Sequence, residues 1–475
     1  MTALAQLLES EPAVAATRAA LADSADDAWV VGGTVRDLVL GRPIVDVDLA
    51  VEGDPEQAAR ALADGLGGPL FPLSEEFGAW RVLAGSREWF CDVSPLQGDG
   101  IEADLARRDF TVNAIAVPLE GGEPIDPHGG RADLDAAVLR VVGEQAYEDD
   151  PLRALRLARL AAELGLEPEA DTERLTRAAA ARVPEASAER VFAELRRLLV
   201  SDGALSGIEL AERTGVAAAV LPELEALRGV EQSQFHHLDV HDHTIEVLRQ
   251  QIALESELEA VFGELAEDIA AVLAEPLGDG LTRGQALRFG ALVHDLGKPA
   301  TRGVRPDGRV TFIGHDGSGA ELVLALCRRL RTGSRVREQL AALTRHHLRL
   351  GFLVHHRPLA PRMVHDYLSA CGPVALDVTV LSCADRLATG GKNAEGAIAA
   401  HLELARELAA EALRWHAEGP PRSPVGGQEL IEELGIEPGP QVGRLLRELE
   451  QAAYAGEVES RQQALELAGR LLRET

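Results

Sequence analysis

The sequence predicts a mainly α-helical protein with a small N-terminal α/β domain. Between residues 28 and 142, short runs rich in β-branched and aromatic residues alternate with helical runs, several of which end in glycine. From Pro151 onward, apolar residues recur every three to four positions, as in LRALRLARLAAELG, which is the period of an amphipathic helix. The length of 475 residues allows about three domains, each with a core of its own.

The elements of the α/β part follow in order along the sequence. AWVVGG predicts a strand that ends in a turn, and VRDLVLG predicts a short helix that ends at Gly41. VDVDLAV predicts the next strand, and PEQAARALADGLGG predicts a helix with a glycine stop. WRVLAG and WFCDVS predict a hairpin pair, and FTVNAIAVP predicts a last strand.

Breaks in the helical pattern divide the rest of the chain. A leucine-rich segment closes at residues 221–229, histidines are dense from about residue 231 to 390, and GPPRSPVGG forms a linker at residues 419–427. We therefore expect four parts, which are an α/β domain (1–145), a helical segment (146–230), a histidine-rich helical domain (231–400) and a helical tail (401–475).

Composition limits the classes of protein to which the chain can belong. With 46% hydrophobic and 26% charged residues, it matches a folded, water-soluble protein. No run of about 18 apolar residues and no signal peptide is visible, so we expect a cytoplasmic protein without membrane association. The cysteines are too few and too scattered for a disulfide framework or a C-x-x-C zinc site, and we expect them in the core: Cys91, Cys327, Cys371 and Cys383.

The net charge of −30 disfavours non-specific adhesion to nucleic acid. Lysine accounts for only two of the 47 basic residues, so the other 45 are arginines. Between Arg328 and Arg362 the arginines are interrupted by a single acid, Glu338. This stretch is either a surface that faces RNA or a set of solvated helix arginines, and the sequence leaves both interpretations open.

Two glycines and two aspartates in the head indicate phosphoryl transfer. Gly32 and Gly33 follow a strand, and twelve residues separate them from Asp46, which is followed two positions later by Asp48. Glycines at a strand-to-helix turn let backbone amides approach a phosphate. Carboxylates at positions i and i+2 of a strand point to the same face and can share divalent ions, and Asp92 on a neighbouring strand is the candidate third carboxylate.

Further motifs follow in the same order as in one known family. They are GGTVRD at residues 32–37, RRDFTVNA at 107–114, DPHGG at 126–130 and DDPLR at 149–153. With these motifs the chain resembles the bacterial class II tRNA nucleotidyltransferase and poly(A) polymerase family. The resemblance implies a head like that of DNA polymerase beta, followed by a helical neck, an HD domain and a helical tail.

The resemblance also implies roles for individual residues. Asp46, Asp48 and Asp92 would be the catalytic carboxylates, and the first two would bind Mg2+. Arg108 would lie near the ribose, and Asp150 and Arg153 would read the base edge of the incoming nucleotide, a contact worth about 1–3 kcal/mol of discrimination. Arg156 and Arg159 would continue as a cationic stripe toward the phosphates. The implied nucleotide-binding set is Gly32, Gly33, Arg36, Asp37, Arg108, Asp109, Asn113, Asp150, Arg153, Arg156 and Arg159.

A second set of residues resembles the HD phosphohydrolase superfamily. The pattern consists of His243, the pair His294-Asp295, His315, His347 and Asp385, with Lys298 close to the pair. Six such ligands would suit a binuclear site of divalent transition metals, and the sequence leaves open whether the site is catalytic. The other histidines are expected to be ordinary core or surface residues: His236, His237, His241, His355, His356, His401 and His416.

The expected activity is the addition of 3′-terminal CCA to tRNA from CTP and ATP, with release of pyrophosphate. The segment from Val93 to Ala103 is shorter than the flexible loop of CCA-adding enzymes, and this resembles the CC-adding subgroup, whose members need a separate A-adding enzyme. Two alternatives remain, which are poly(A) addition and an HD-type phosphohydrolase acting on RNA or nucleotide phosphates.

Overall fold

The computed structural model describes residues 3–22, 27–74, 78–232, 238–390 and 394–473. The chain forms two compact units, Met1–Val220 and Leu221–Thr475. The first contains the α/β sheet and the second is helical apart from two short hairpins, as the sequence predicts. The finer division into four parts stays a prediction.

Six strands of the described residues form the sheet of the first unit, in the order β3-β4-β5-β2-β1-β6. The strands β2 and β5 are parallel, whereas every other neighbouring pair is antiparallel. Because β2 and β5 are paired in register, Asp48 lies opposite Asp92. The strands are β1 (Ala28–Val31), β2 (Asp46–Val51), β3 (Leu70–Ser74), β4 (Ala79–Leu83), β5 (Phe90–Pro95) and β6 (Ala116–Pro118).

Helices cover the sheet and continue into the second half of this unit. They are α1 (Ala3–Ser10), α2 (Pro12–Leu21), α3 (Gly32–Val39), α4 (Pro55–Leu66), α5 (Ile101–Ala106), α6 (Gly130–Asp135), α7 (Gln145–Asp149), α8 (Arg153–Leu164), α9 (Ala170–Ala179), α10 (Ala188–Val200), α11 (Ala204–Arg213) and α12 (Val216–Val220). Two short strands, β7 (Val138–Leu139) and β8 (Glu167–Pro168), pair in parallel. The predicted glycine stops are confirmed, since Gly41 and Gly67 follow α3 and α4 with φ of 65° and 66°.

One strand prediction is wrong over about two thirds of its length, because only three of its nine residues form a strand. Residues Thr111–Asn113 of FTVNAIAVP form a 3-10 turn, and only Ala116–Pro118 joins the sheet. The reason is local hydrogen bonding, because Asn113 Nδ2 and the backbone N–H of Phe110 both donate to Asp109 Oδ1. Short polar side chains of this kind compete with the strand ladder for backbone groups.

The second unit is a stack of helices with a separate core near its C-terminus. Its helices are α13 (Pro222–Glu225), α14 (Val240–Ser256), α15 (Leu258–Phe262), α16 (Ala266–Leu273), α17 (Arg283–Val293), α18 (Lys298–Thr301), α19 (His315–Arg329), α20 (Ser334–His346), α21 (Arg349–Leu353), α22 (Pro361–Cys371), α23 (Ala375–Leu387), α24 (Ala394–Glu418), α25 (Gly427–Leu434), α26 (Pro440–Tyr454) and α27 (Arg461–Arg473). The hairpins are β9 (Pro276–Gly278) with β10 (Leu281–Thr282), and β11 (Gly303–Val304) with β12 (Val310–Thr311). The last three helices enclose Leu430, Leu445 and Leu449.

The segment Pro361–Leu387 is long and apolar enough to cross a membrane, but 78% of its most apolar window is buried inside the protein. Core helices satisfy the same length and composition criterion, and the burial assigns this segment to the core. All four cysteines are buried and free, as expected.

Candidate active site

The glycine turn brings backbone close to two charged side chains. Gly32 has a φ of 64°, and a Cβ atom there would lie 2.7 Å from Arg108 Nη1. A Cβ atom on Gly33 would lie 3.2 Å from Asp48 Oδ2. The positive φ favours glycine at position 32, and a side chain at either position would require Arg108 or Asp48 to shift.

The aspartates of β2 are crowded on one face of the strand. Thr34 Oγ1 accepts a hydrogen bond of 2.7 Å from the backbone N–H of Asp48, which fixes the strand against α3. Burial and the neighbouring Asp46 carboxylate raise the pKa of Asp48 to about 7. Burial, followed by Asp37 and Asp92, also raises the pKa of Asp46. Because repelling carboxylates are costly without a counter-charge, these residues fit a divalent cation.

The third carboxylate has a partner that sequence reasoning missed. Arg81 on β4 binds Asp92 through two hydrogen bonds of 2.7 Å, and its guanidinium lies 3.9 Å from the centre of the Phe90 ring. The register of the β4–β5 hairpin places Arg81 directly opposite Asp92. An arginine and an aspartate on paired strands were visible in the sequence, but only the register makes them cross-strand neighbours.

A chain of hydrogen bonds connects the predicted nucleotide-binding residues. Arg36 binds both carboxylate oxygens of Asp37 at 2.9 Å and donates to Asn113 Oδ1 at 2.7 Å. Asn113 Nδ2 donates to Asp109 Oδ1 at 3.0 Å, and Arg156 Nη1 donates to the other oxygen of Asp109 at 3.0 Å. Burial alone would raise the pKa of Asp109, but Arg156, Asn113 and a nearby arginine lower it to about 2. The chain holds Asp109 ionised.

Both arginines of the predicted cationic stripe on α8 form ion pairs with acidic side chains. Arg156 and Arg159 both bind Glu194 of α10, and Arg159 also binds Glu163 at 2.5 Å. Arg159 is only 5% exposed. The orientation of these arginines toward phosphates stays a prediction, and in the folded protein an acid 35 residues further along the chain from Arg159 pairs with both of them.

The two residues expected to read the base are held by protein partners. Arg153 donates to the backbone carbonyls of Arg107 at 2.9 Å, Ala146 at 3.1 Å and Arg108 at 3.3 Å. The carboxylate of Asp150 accepts a 2.6 Å hydrogen bond from Arg190 of α10. Among the described residues, these two side chains form no ion pair with each other.

Two cavities meet at this site. The larger, of about 760 Å³, is lined by residues that include Gly33, Arg36, Asp37, Asp46, Asp48, Asp109, Asn113, Arg156 and Arg159. The smaller, of about 230 Å³, is lined by Gly32, Gly33, Asp48, Arg108, Asp109, Asn113, Arg153 and Arg156. Asp92 and Asp150 belong to neither lining, whereas Asp48 and Gly33 belong to both.

The second unit brings the six predicted HD residues together around Asp295. The Nε2 atoms of His294, His315 and His347 lie 3.1, 3.3 and 3.8 Å from its carboxylate oxygens. His243 Nε2 lies 3.1 Å from Asp385 Oδ1 and 3.9 Å from Asp295 Oδ2. These residues come from five helices, α14, α17, α19, α20 and α23, or from the positions that directly follow them.

Backbone carbonyls orient three of the histidines. His294, His315 and His347 each direct Nδ1 to the carbonyl oxygen three residues earlier, at 2.8, 2.6 and 2.6 Å. A carbonyl can only accept, so Nδ1 carries the proton and the Nε2 lone pair faces Asp295. This is the tautomer that metal-binding histidines adopt.

The chemistry of this cluster fits a divalent metal. Asp295 Oδ1, Asp295 Oδ2 and His294 Nε2 are buried and have no partner with hydrogen-bond geometry among the described residues, although Lys298 Nζ is 2.6 Å from Asp295. Burial lowers the pKa of His347 to about 4, which keeps it neutral. Buried polar atoms without partners are costly, and a cation would satisfy them.

Three family models match this chain. The model described as "Poly A polymerase head domain" matches residues 28–98 and 92–140, and "Probable RNA and SrmB- binding site of polymerase A" matches residues 165–227. The HD domain model matches residues 258–390. An A-adding tRNA nucleotidyltransferase from Deinococcus radiodurans is 38% identical over 94% of this chain and 96% of its own length. The chain belongs to the tRNA nucleotidyltransferase and poly(A) polymerase family.

Other members of the family support this assignment. A CC-adding tRNA nucleotidyltransferase from Thermus thermophilus is 36% identical over 92% of each chain. The structure of the Thermotoga maritima CCA-adding enzyme complexed with tRNA covers 99% of this chain and 98% of its own, with a TM-score of 0.61 at 20% identity, which shows a shared fold. The predicted family, fold class and enzyme class are thereby confirmed, and divalent metals are in general use at both kinds of domain.

The remaining histidines and arginines of this family member have ordinary partners. His241 contacts Asp242, His401 contacts Ser382, His416 contacts Glu275, and His355 and His356 are exposed, whereas His236 and His237 lie outside the described residues. Four arginines of the 328–362 stretch bind acids: Arg329, Arg345, Arg357 and Arg362. This pairing favours solvated helix arginines over an RNA-facing surface.

Proposed function

We propose that this chain adds nucleotides of the 3′-terminal CCA sequence to tRNA, using CTP and ATP and releasing pyrophosphate. The observation that carries the proposal is the Asp46 and Asp48 pair, which faces the Gly32-Gly33 turn in a cavity of about 760 Å³. The two relatives above, which match more than nine tenths of the chain, bear the names of tRNA nucleotidyltransferases. A cytoplasmic location follows from such substrates.

The carboxylates of β2 are proposed to hold Mg2+. A bound Mg2+ would polarise the phosphoryl oxygens and favour ionisation of the attacking hydroxyl. Gly33 lines the same cavity, and its backbone amide would help to hold the triphosphate. In this arrangement Asp48 would contribute most to holding the Mg2+ ion next to the triphosphate, because its Oδ2 atom is close to the glycine turn and its side chain lines both cavities.

The reaction is proposed to proceed in line at the α-phosphate. The 3′-oxygen of tRNA forms a bond with the α-phosphorus, and the bond from that phosphorus to the bridging oxygen of the β-phosphate breaks. The electron pair leaves with pyrophosphate. Arg36 and Arg108, which border the two cavities, would stabilise the negative charge of the triphosphate.

Base choice is proposed to depend on Arg153 and Asp150. For this role, Asp150 would exchange Arg190 for the amino group of the base, and Arg153 would turn part of its guanidinium from backbone carbonyls to the base edge. Both exchanges give Asp150 and Arg153 a new hydrogen-bond partner in place of an old one, and Arg190, whose side chain is 45% exposed, would be solvated by water.

The number of nucleotides added is the finer question. The short Val93–Ala103 segment favours CC addition, in which case a separate A-adding enzyme would complete the tRNA. The name of the 38% identical relative favours A addition instead. Full CCA addition is the third outcome.

The test uses purified protein, Mg2+ and three tRNA transcripts that end at the discriminator base, at C and at CC. CTP and ATP are supplied singly and together, and product lengths are read on a sequencing gel. Three additions identify a CCA enzyme, arrest after two cytidines identifies a CC-adding enzyme, and extension of only the CC transcript by ATP identifies an A-adding enzyme. Long adenosine tails would indicate poly(A) addition, and no transfer would overturn the proposal.

A second activity is favoured by the HD cluster. We propose that Asp295 and its four histidine neighbours, with Asp385, bind a divalent transition metal and hydrolyse phosphate esters of RNA or nucleotides. Metal analysis of the wild type and of Asp295→Asn, with bis-p-nitrophenyl phosphate as substrate, tests this. We expect the variant to lose both metal and hydrolysis and to keep nucleotide transfer, and a metal-free wild type would contradict the proposal.

A further inference from the structure

A row of side chains crosses the sheet of the first unit from the candidate active site toward the edge of the sheet. Asp48 on β2 lies opposite Asp92 on β5, and Asp92 lies opposite Arg81 on β4. Phe71 on β3, the edge strand, lies opposite Arg81. Directly opposed residues present their side chains to the same face of a sheet, about 5 Å apart. Arg81 is therefore one strand away from Asp92 and two strands away from Asp48.

The side chain of Arg81 is fixed in this row. Its Nε and Nη2 atoms donate to Oδ1 and Oδ2 of Asp92, each at 2.7 Å. Its guanidinium also lies 3.9 Å from the centre of the Phe90 ring. Two parallel hydrogen bonds between a planar guanidinium and a carboxylate specify both position and orientation. Arg81 therefore fixes the carboxylate of Asp92 as well.

The charge of Arg81 also acts on the two carboxylates of β2. The hydrogen bonds to Asp92 raise the pKa of Arg81 above its ordinary value, burial opposes this, and the charges of Asp92, Asp46 and Asp48 raise it further. The same attraction implies a repulsion, because a divalent cation held by Asp46 and Asp48 would carry the same sign of charge as the guanidinium. A second cation at the carboxylate of Asp92 would meet this repulsion at closer range.

We infer that Arg81 is a positioning residue of the metal site, which holds Asp92 in an ion pair and thereby limits the ligands of the divalent cation to Asp46 and Asp48. This inference rests on the proposed Mg2+ site. Mg2+ at phosphoryl-transfer sites is bound by one or two carboxylates together with substrate phosphates. Two carboxylates leave coordination positions open for the triphosphate and the attacking oxygen, whereas a third would occupy one of them.

Arg81→Gln removes the positive charge and frees Asp92, so the variant should bind a divalent cation at least about fivefold more tightly than the wild type. The probe is Mn2+, which prefers the same oxygen ligands as Mg2+ and whose free ion is measured by electron paramagnetic resonance. Asp48→Asn serves as the blank for metal bound elsewhere in the full-length protein. The matched control is Arg60→Gln, which removes an arginine from an exposed ion pair with Glu56 on α4 and should leave the affinity unchanged.

The double variant Arg81→Gln/Asp92→Asn separates positioning from a general structural role. It loses one positive and one negative charge, so the net charge near the metal equals that of the wild type. If Asp92 is not a ligand, the double variant should bind Mn2+ within about twofold of the wild type. In urea with EDTA, Arg81→Gln should unfold more easily than the wild type, because it leaves three carboxylates together, and the double variant should regain stability. The double variant keeps the test decisive if Arg81→Gln alone does not fold.

The inference is overturned if Arg81→Gln binds Mn2+ no more tightly than the wild type. It is also overturned if the double variant binds Mn2+ more than about twofold more weakly than the wild type, because Asp92 would then be a ligand despite its ion pair. Failure of the underlying metal proposal has a different signature. In that case Asp48→Asn would bind as much Mn2+ as the wild type, whatever the behaviour of the Arg81 variants.

Discussion

Replacement of Asp48 by asparagine is expected to stabilise the folded protein and to abolish nucleotide transfer. Burial and the Asp46 carboxylate raise the pKa of Asp48 from its ordinary value of 3.8 to about 7. At ~1.4 kcal/mol per pKa unit, ionised Asp48 costs the folded protein about 4 kcal/mol at pH 8 in the absence of metal. Asparagine has nearly the same shape and no charge, so the variant should recover much of this free energy.

The sign of the effect depends on pH. The folded pKa is raised above the unfolded one, so the folded protein retains a proton on Asp48 between about pH 4 and pH 7 that the unfolded chain has lost. The free energy of unfolding of the wild type therefore falls as the pH rises through this window. Asparagine does not titrate, so its contribution to that free energy does not change with pH. Linkage therefore makes Asp48→Asn more stable than the wild type by about 2 kcal/mol at pH 5 and by about 4 kcal/mol at pH 8.

Urea unfolding in EDTA at pH 5 and pH 8 measures this difference for the wild type and Asp48→Asn. Added Mg2+ should stabilise the wild type and not the variant, because a ligand that binds only the folded state adds to stability. Asp92→Asn is the matched control with the opposite expected sign, because it leaves the Arg81 guanidinium without its partner. A variant that is no more stable than the wild type at pH 8, or a difference that does not depend on pH, would refute the reasoning.

Three further predictions concern the same unit. Gly33→Ala places a Cβ atom 3.2 Å from Asp48 Oδ2, so we expect kcat/KM for transfer to fall by about tenfold or more with little change in stability; a fully active variant would contradict the close approach. Glu194→Ala removes the acid shared by Arg156 and Arg159, which keep Asp109 and Glu163 as second partners, so the free energy of unfolding in urea should fall by about 1–3 kcal/mol; an unchanged value would show that water replaces the acid. Arg153→Ala removes a planar donor, so selectivity for CTP over UTP should fall by about tenfold while the tRNA Kd stays the same; unchanged selectivity would refute the base-reading role.

Local chemistry in the sequence was sufficient for the core of the candidate active site. Side chains two positions apart on a strand share a face, so Asp46 and Asp48 lie on one face of β2 regardless of how the strand packs. Gly32 and Gly33 follow the preceding strand directly and begin α3, so their place at the turn also follows from the local sequence. The ordered motifs then identified the family. For these residues, near neighbours in the chain are also near neighbours in space.

Partners that come from distant segments could not be predicted in this way. The helical period of α8 predicted a row of arginines, but Glu194 approaches from α10 and converts the row into buried ion pairs. The hairpin of β4 and β5 was predicted, yet the pairing of Arg81 with Asp92 depends on its register, and a shift of one residue would separate them.

The sequence by itself determined which side chains can hold metal and phosphate, because that depends on the chemistry and spacing of those residues. Only the tertiary structure decided what surrounds them. The HD residues lie up to 142 positions apart, and packing of separate helices brings them to one carboxylate. The same packing brings Ile313 and Phe352 to one cavity, although no period or motif connects them. Contacts between distant segments depend on how the helices pack, which the local pattern of a single sequence does not specify.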